Sequence, residues 1–171
     1  MIVLKTDRLF LRKFSIRDAA FILRLVNEPS WLRFIGDRGV HTLDDAQRYI
    51  IKGPVNSYNR FGFGLYMVQL KEGEIPLGMC GLIKRDFMQD VDVGYAFLPE
   101  FWGNGYAYEA ALAVVNNAKS AFGLKRVVAV VSPDNQSSIK LLKKLGFNFE
   151  KMVRFPGEEK EIELYARENK S

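Results

Sequence analysis

The chain has 171 residues, of which 48% are hydrophobic and 26% are charged, and its formal net charge is +5. This length and balance are typical of one soluble globular domain, and they exclude a disordered or fibrous chain. The only cysteine, Cys80, excludes an intramolecular disulfide, and together with the only histidine, His41, it is too little for a usual zinc site. We therefore expect a single domain over residues 1–171 that holds no metal.

The excess of positive charge suits a polyanionic ligand, which could be a phosphorylated cofactor or a nucleic acid. No run of five Lys or Arg residues occurs, so a nucleic-acid partner is not expected. The longest apolar stretches, such as Val127–Val131, are far shorter than the roughly 20 residues of a membrane-spanning helix. The N-terminal residues lack an apolar signal segment, so we expect a cytoplasmic protein with no membrane partner.

The first 60 residues combine one strand with helices. Lys5–Phe14 is predicted to be a strand, and Ser15–Val26 a helix that begins with a capping-box pattern. Pro29–Arg60 is the least regular part of the chain. Within it, Thr42–Lys52 is predicted to be a helix that ends at Gly53-Pro54.

From residue 64 onward, strands and helices alternate. Two helices are expected, over about Tyr106–Phe122 and Gln136–Leu145. The predicted strands are Leu65–Leu70, Pro76–Lys84, Val91–Leu98, Val127–Val131, Phe147–Val153 and Glu161–Ala166. The fold class is therefore α/β, with a central mixed sheet of about seven strands, partly antiparallel, flanked by helices.

The segment Pro99–Ala107 is a candidate phosphate-binding loop, because it joins a strand to an alanine-rich helix. The first N–H groups of a helix have no intrahelical partners, and they can bind an anion. Gly103 and Gly105 would let the backbone curl and a phosphate approach closely. The same glycines would also suit a simple turn. Neither a Rossmann fingerprint nor a Gly-Lys-Ser/Thr P-loop is present.

A second motif, Ser132–Ile139, begins the following helix, which closes in Leu145-Gly146-Phe147. This pattern downstream of a Gly-x-Gly-x-Ala loop resembles the GNAT superfamily of N-acetyltransferases. The strand lead-in Asp92–Tyr95, the loop Trp102–Ala107 and the opening Thr6–Arg12 are most similar to the RimJ/RimL-like branch. The resemblance covers nearly the whole chain.

The resemblance implies an acetyl-CoA site between splayed strands, the fourth and fifth of the predicted sheet, Val91–Leu98 and Val127–Val131. The pyrophosphate would lie on backbone N–H groups of the glycine loop, and the pantetheine arm would pair with the edge of the fourth strand like an added strand. The implied cofactor-binding residues are Ala96, Phe97, Leu98, Trp102, Gly103, Asn104, Gly105, Tyr106, Ala107, Asn135 and Ser138.

Two positions depart from the family pattern. Many relatives have Gln or Arg where Trp102 stands, and a tyrosine acting as an acid where Leu142 stands. Ser138 is then the nearest candidate to protonate the departing thiolate or to orient it. A serine at a helix start could equally make only local hydrogen bonds.

Direct transfer of an acetyl group also requires a base and an oxyanion donor. We predict that Asp92 accepts the proton of the amine, directly or through water; the alternative is a solvated strand carboxylate with no such role. Glu100 and Tyr108 are weaker candidates for the base. The donor would be a main-chain N–H near Phe97 or Leu98.

The expected function is transfer of acetyl from acetyl-CoA to a primary amine, which is a protein N-terminal α-amine, including that of a ribosomal protein, or a small molecule. A non-catalytic acyl-CoA-binding module is the alternative function, and the protein could be a monomer or a homodimer. Four aromatic side chains could line the acceptor groove, or could be core residues: Trp31, Phe34, Phe61 and Phe63. Arg33, Arg38 and Arg60 could recognise an acidic acceptor, or could be ordinary surface charges.

Overall fold

The computed structural model describes residues 1–169, which form one open eight-stranded sheet with helices on both faces. The strands are β1 (Ile2–Lys5), β2 (Leu9–Lys13), β3 (Leu65–Leu70), β4 (Pro76–Ile83), β5 (Asp92–Phe97), β6 (Arg126–Val131), β7 (Asn148–Val153) and β8 (Ile162–Glu168). The α-helices are α1 (Ala19–Leu25), α2 (Pro29–Phe34), α3 (Leu43–Ile50), α4 (Asn56–Phe61), α5 (Tyr106–Phe122) and α6 (Gln136–Lys144).

The order of the strands produces one parallel contact, at the centre of the sheet. The order is β1-β2-β3-β4-β5-β6-β8-β7, and every neighbouring pair is antiparallel except β5 and β6. These two strands are paired only at Asp92 and Val128, and beyond that point they separate. The predicted mixed sheet and its splay are confirmed, and the splayed strands are the fifth and sixth.

The expected count of seven strands is wrong by one, because Lys5–Phe14 is not a single strand. β1 and β2 form a hairpin, in which the Thr6 N–H donates to the Leu9 carbonyl at 2.9 Å. Only four residues form β1, too few for a clear alternation of apolar and polar side chains. The turn between the strands carries the charged part of the opening motif.

The helices bury two separate apolar layers against the sheet. α5 and α6 cover one face through residues such as Val114 and Leu142, while α1 to α3 cover the other through residues such as Ile22 and Ile50. Side chains alternate along a strand. Val93 therefore packs into the first layer, and Asp92 beside it faces the second. No helix within residues 1–169 is both long enough and apolar enough to cross a membrane.

Both predicted helix starts in the first 50 residues are confirmed, because Ser15 and Thr42 form capping boxes. The predicted stop at Gly53-Pro54 is wrong. The chain continues through a π-helical turn, Ile51–Val55, directly into α4, and stops at Gly62 in the left-handed region. Proline lacks an N–H and clashes with the preceding turn, and a π-turn accommodates both effects without ending the helix.

Candidate active site

A cleft of about 1580 Å³ extends from the splay of β5 and β6 to the wall formed by α2 and α4. It is lined by most of the predicted site residues, namely Asp92, Ala96, Phe97, Trp102, Gly103, Gly105, Tyr106, Ala107, Asn135 and Ser138. Leu98 and Asn104 are the two predicted residues that do not line it. The fold thus brings together residues that are up to 46 positions apart in the sequence, from Asp92 to Ser138.

The edge of β5 that faces the splay is free of strand pairing beyond Asp92. The Phe97 carbonyl faces this edge and accepts a hydrogen bond from Trp102 Nε1 at 2.9 Å, whereas the carbonyl of Ala96, another predicted cofactor residue, points toward Gly78 of β4. Leu98 is different, because it is buried and its N–H already donates to the Leu77 carbonyl. An extended molecule could pair with this edge as an added strand. Of the two predicted oxyanion donors, Phe97 fits better than Leu98, because the Leu98 N–H already has a partner.

The glycine loop ends in a helix start that no side chain caps. Gly105 is the N-cap of α5 with φ of 82°, in the left-handed region, and Gly103 has φ of 80°. The first backbone bond of the helix runs from the Glu109 N–H to the Gly105 carbonyl. The N–H groups of Tyr106 to Tyr108 therefore precede the hydrogen-bonded part of α5, and the helix dipole adds positive potential there.

The loop is held from both sides. Asn104 Nδ2 donates to the carbonyls of Phe101 and Trp102, at 3.1 and 3.3 Å, so this exposed side chain shapes the loop. On the helix side, Glu109 accepts hydrogen bonds from the Thr6 hydroxyl and from Arg8 Nε, the latter at 2.8 Å.

Arg8 completes this brace from the opening motif. Its guanidinium lies over the Tyr106 ring, 4.4 Å from the centroid. Burial alone would raise the pKa of Glu109, but the hydrogen bonds from Thr6 and Arg8 outweigh burial, so the pKa is lowered. The opening motif, to which no role was assigned from the sequence, fixes the start of α5.

Ser138 lies in the first turn of α6, and its hydroxyl is 2.8 Å from the hydroxyl of Tyr95 on β5. Burial raises the pKa of Tyr95, and so keeps its phenol protonated at neutral pH. Asn135 caps α6, because its Oδ1 accepts from the Ser138 N–H at 3.3 Å. Tyr95 was missed by the sequence analysis, which looked for a tyrosine at the position of Leu142 and did not weigh the one in the β5 motif.

Asp92 lies beside the point where β5 and β6 meet. Its carboxylate is 1% exposed, and Oδ2 accepts from Arg85 Nε at 2.7 Å. Burial raises the pKa of Asp92, and the positive charge of Arg85 opposes that effect. No local sequence pattern indicates this pair, because Arg85 lies in the connection that follows β4. Within residues 1–169, no group of three His, Cys, Asp or Glu side chains could hold a metal ion.

The remaining candidates fall into two groups. Glu100 pairs with Arg24 outside the cleft, whereas Tyr108 lines the cleft. Six of the seven side chains expected at the acceptor groove line the cleft: Trp31, Arg33, Phe34, Arg38, Arg60 and Phe61. Of these, Trp31 is largely buried. Phe63 is instead a core residue, packed edge-on against Phe122 with ring centroids 5.3 Å apart.

Comparison with known proteins identifies the family. The model of the acetyltransferase (GNAT) domain matches residues 8–148. The Bacillus subtilis (strain 168) protein named "Uncharacterized N-acetyltransferase YoaA" is 32% identical over 154 residues, which cover 89% of this chain and 86% of that protein. The chain therefore belongs to the GNAT family of acetyltransferases. The family implies acetyl transfer from acetyl-CoA.

Solved structures share the fold. An acetyltransferase of the GNAT family from Bacillus anthracis has a TM-score of 0.80 at 24% identity, over 99% of both chains. RimL, a ribosomal L7/L12 α-N-protein acetyltransferase solved in complex with coenzyme A, has a TM-score of 0.82 at 18% identity, over 98% of both chains. At these identities the two structures support the fold alone.

The placement of the phosphates on the glycine loop can be tested by adding a negative charge to the loop with little change in its shape. Gly103 is exposed, with no atom within 4 Å of the position of an added Cβ. Asp and Asn both tolerate the left-handed region, so Gly103→Asp and Gly103→Asn should strain the loop equally. We expect Gly103→Asp to bind acetyl-CoA about tenfold more weakly than Gly103→Asn, because a carboxylate repels the diphosphate. Calorimetric titration measures both, and equal affinities would contradict the placement of the phosphates.

Proposed function

We propose that this protein transfers the acetyl group of acetyl-CoA to a primary amine by direct attack of the amine on the thioester. The observation that carries the proposal is that the uncapped start of α5 and the unpaired edge of β5 open into one cleft. The diphosphate would bind the first N–H groups of α5, and the pantetheine arm would pair along β5. Trp102, Asn104 and Asn135 would support the cofactor from the loop and from the start of α6.

The chemistry would be divided between the two sides of β5. Ser138, hydrogen-bonded to Tyr95, would give or relay a proton to the departing thiolate. The Phe97 N–H is the proposed oxyanion donor. Asp92 is the proposed base. Its raised pKa moves it closer to that of an amine, about 8 for an α-amine and about 10.4 for lysine, and this favours proton transfer.

The acceptor is proposed from the opening motif, the loop and the neighbouring structures. We assign the chain to the RimJ/RimL-like branch, and two similar structures are described as ribosomal-protein acetyltransferases, of S5-alanine and of L7/L12. A third, the microcin C7 self-immunity acetyltransferase, was solved with acetyl-CoA and AMP. The acceptor is accordingly a protein N-terminus or a small-molecule amine, taken up by a monomer or a homodimer.

The proposed activity is tested by binding and turnover together. Acetyl-CoA should stabilise the folded protein by about 2.7 kcal/mol at a free concentration of 100 Kd, so the melting midpoint should rise. An oligonucleotide should leave it unchanged. Thiol release should then follow when amines are added, including N-terminal peptides. A raised midpoint with no thiol release from any amine would favour the acyl-CoA-binding module instead.

The hydrogen-bonded pair of Ser138 and Tyr95 should act as a unit. We expect Ser138→Ala and Tyr95→Phe each to lower kcat by about 100-fold with little change in the KM for acetyl-CoA. The double variant should be no worse than either single one, because groups in one relay are not additive. Steady-state kinetics measure this. Ser137→Ala, in the same helical turn, is the control, and full kcat in Ser138→Ala would exclude the role.

The role of Asp92 is tested by a pH profile. A base must lose its proton before it acts, so kcat/KM should rise as the pH rises through the pKa of Asp92. Asp92→Asn should lose that limb and lower kcat/KM by about 100-fold on the high-pH side, where Asp92 is ionised, with a smaller difference at low pH. Asp90→Asn, two residues earlier, is the control. A higher KM with unchanged kcat in Asp92→Asn would show that Asp92 only positions its neighbours.

A further inference from the structure

Arg85 is a rigidly held guanidinium that lines the acceptor side of the cleft. Its Nε donates to Asp92, and its side chain is 23% exposed. Asp92 faces the layer of α1 to α3, because its neighbours Val91 and Val93 face the other layer. The pair therefore lies on the face of the sheet opposite Ser138 and α6, where an acceptor has room to enter.

The second support of Arg85 is aromatic. Its Cζ lies 4.9 Å from the centroid of the Phe155 ring, in the turn between β7 and β8. Phe155 in turn contacts Phe87 edge-on, with centroids 4.8 Å apart. The carboxylate and the ring together hold the guanidinium in one orientation. Only Nε is used by the hydrogen bonds found within residues 1–169, so both Nη groups remain as donors.

Further positive charge lies on the helical wall of the same cleft. Arg38 and Lys52 line it, and neither forms an ion pair among residues 1–169. Tyr49 also lines the cleft; burial raises its pKa, and the charges of Arg38 and Arg85 oppose that effect. Besides Asp92, the carboxylates that line the cleft include Asp86, Glu158, Glu159 and Glu161, which are exposed and therefore screened by solvent.

We propose that the acceptor carries an acidic group, a carboxylate or a phosphate, in addition to its amine, and that Arg85 binds this group through its two Nη atoms. A guanidinium with both Nη donors free matches the two oxygens of such a group. Arg38 and Lys52 add positive charge from the wall, and the Tyr49 hydroxyl offers a further donor. This assignment rests on the proposed function, and it narrows the class of amine.

The test compares matched probes with and without the acidic group. Calorimetric titration of the coenzyme A-loaded protein would use glycyl dipeptides with a free or an amidated carboxyl end, and phosphoethanolamine against ethanolamine. Arg85→Lys keeps a cation beside Asp92, so the buried carboxylate stays paired, but it loses the two-pronged donor. We expect acidic probes to bind wild type at least about tenfold more tightly than neutral ones, and Arg85→Lys to remove that preference.

Controls separate this assignment from the proposed function. Arg154→Lys, in the neighbouring turn and paired with Glu161, should keep the preference. Equal binding of acidic and neutral probes by wild type, or equal weakening of both by Arg85→Lys, would overturn the assignment. Thiol release is scored separately. Turnover of neutral amines without any acidic preference leaves the acetyltransferase intact, whereas acidic preference without any thiol release removes the proposed function alone.

Discussion

The separation of β5 from β6 is the constraint on which the site depends. One pair of residues, Asp92 and Val128, joins these strands, and beyond it the backbone groups of neither strand pair with the other strand. Backbone groups that lack a partner in the sheet must find one in water or in a ligand, because leaving them bare costs free energy. The same gap lets α5 begin at the mouth of the cleft. A sheet that continued to pair would have neither the free edge nor the space.

The glycine loop needs rigid support as well as flexible residues. Left-handed backbone at Gly103 and Gly105 creates the turn, but this alone does not hold the helix at a fixed place. The brace of Thr6 and Arg8 on Glu109 ties the start of α5 to the hairpin of β1 and β2, about 100 residues earlier in the chain. The opening motif and the loop thus form one structural unit, which explains why both occur in a chain with this fold.

Local signals in the sequence predicted most of the fold. Capping boxes at Ser15 and Thr42, the left-handed stop at Gly123 and the apolar strands all depend on near neighbours, and the structure confirms them. The stop at Gly53-Pro54 failed because a π-turn offers the helix a way past a proline, and propensity alone does not reveal it.

The composition of the site was less predictable. Its glycine loop and the serine of α6 stand in recognisable motifs, but the partners of these residues come from distant segments. The contacts of Ser138 with Tyr95 and of Asp92 with Arg85 join elements through the strand register, which no local pattern specifies. Phe63 shows the opposite case. It lies close in sequence to residues that line the groove, but its ring packs against Phe122 in the core.

The indole of Trp102 has a consequence for the size of what can dock on β5. At one end of the free edge, the Trp102 Nε1 donates a hydrogen bond to the Phe97 carbonyl. At the other end, Asp92 is paired with Val128 of β6. The open interval therefore runs from Val93 to the Phe97 N–H, roughly 13 Å of main chain. The length of this interval limits what can pair with the edge. It admits a thin chain with two or three amide-like groups, and it stops a longer strand from extending the sheet, so the exposed edge is poorly suited to joining another copy of the protein.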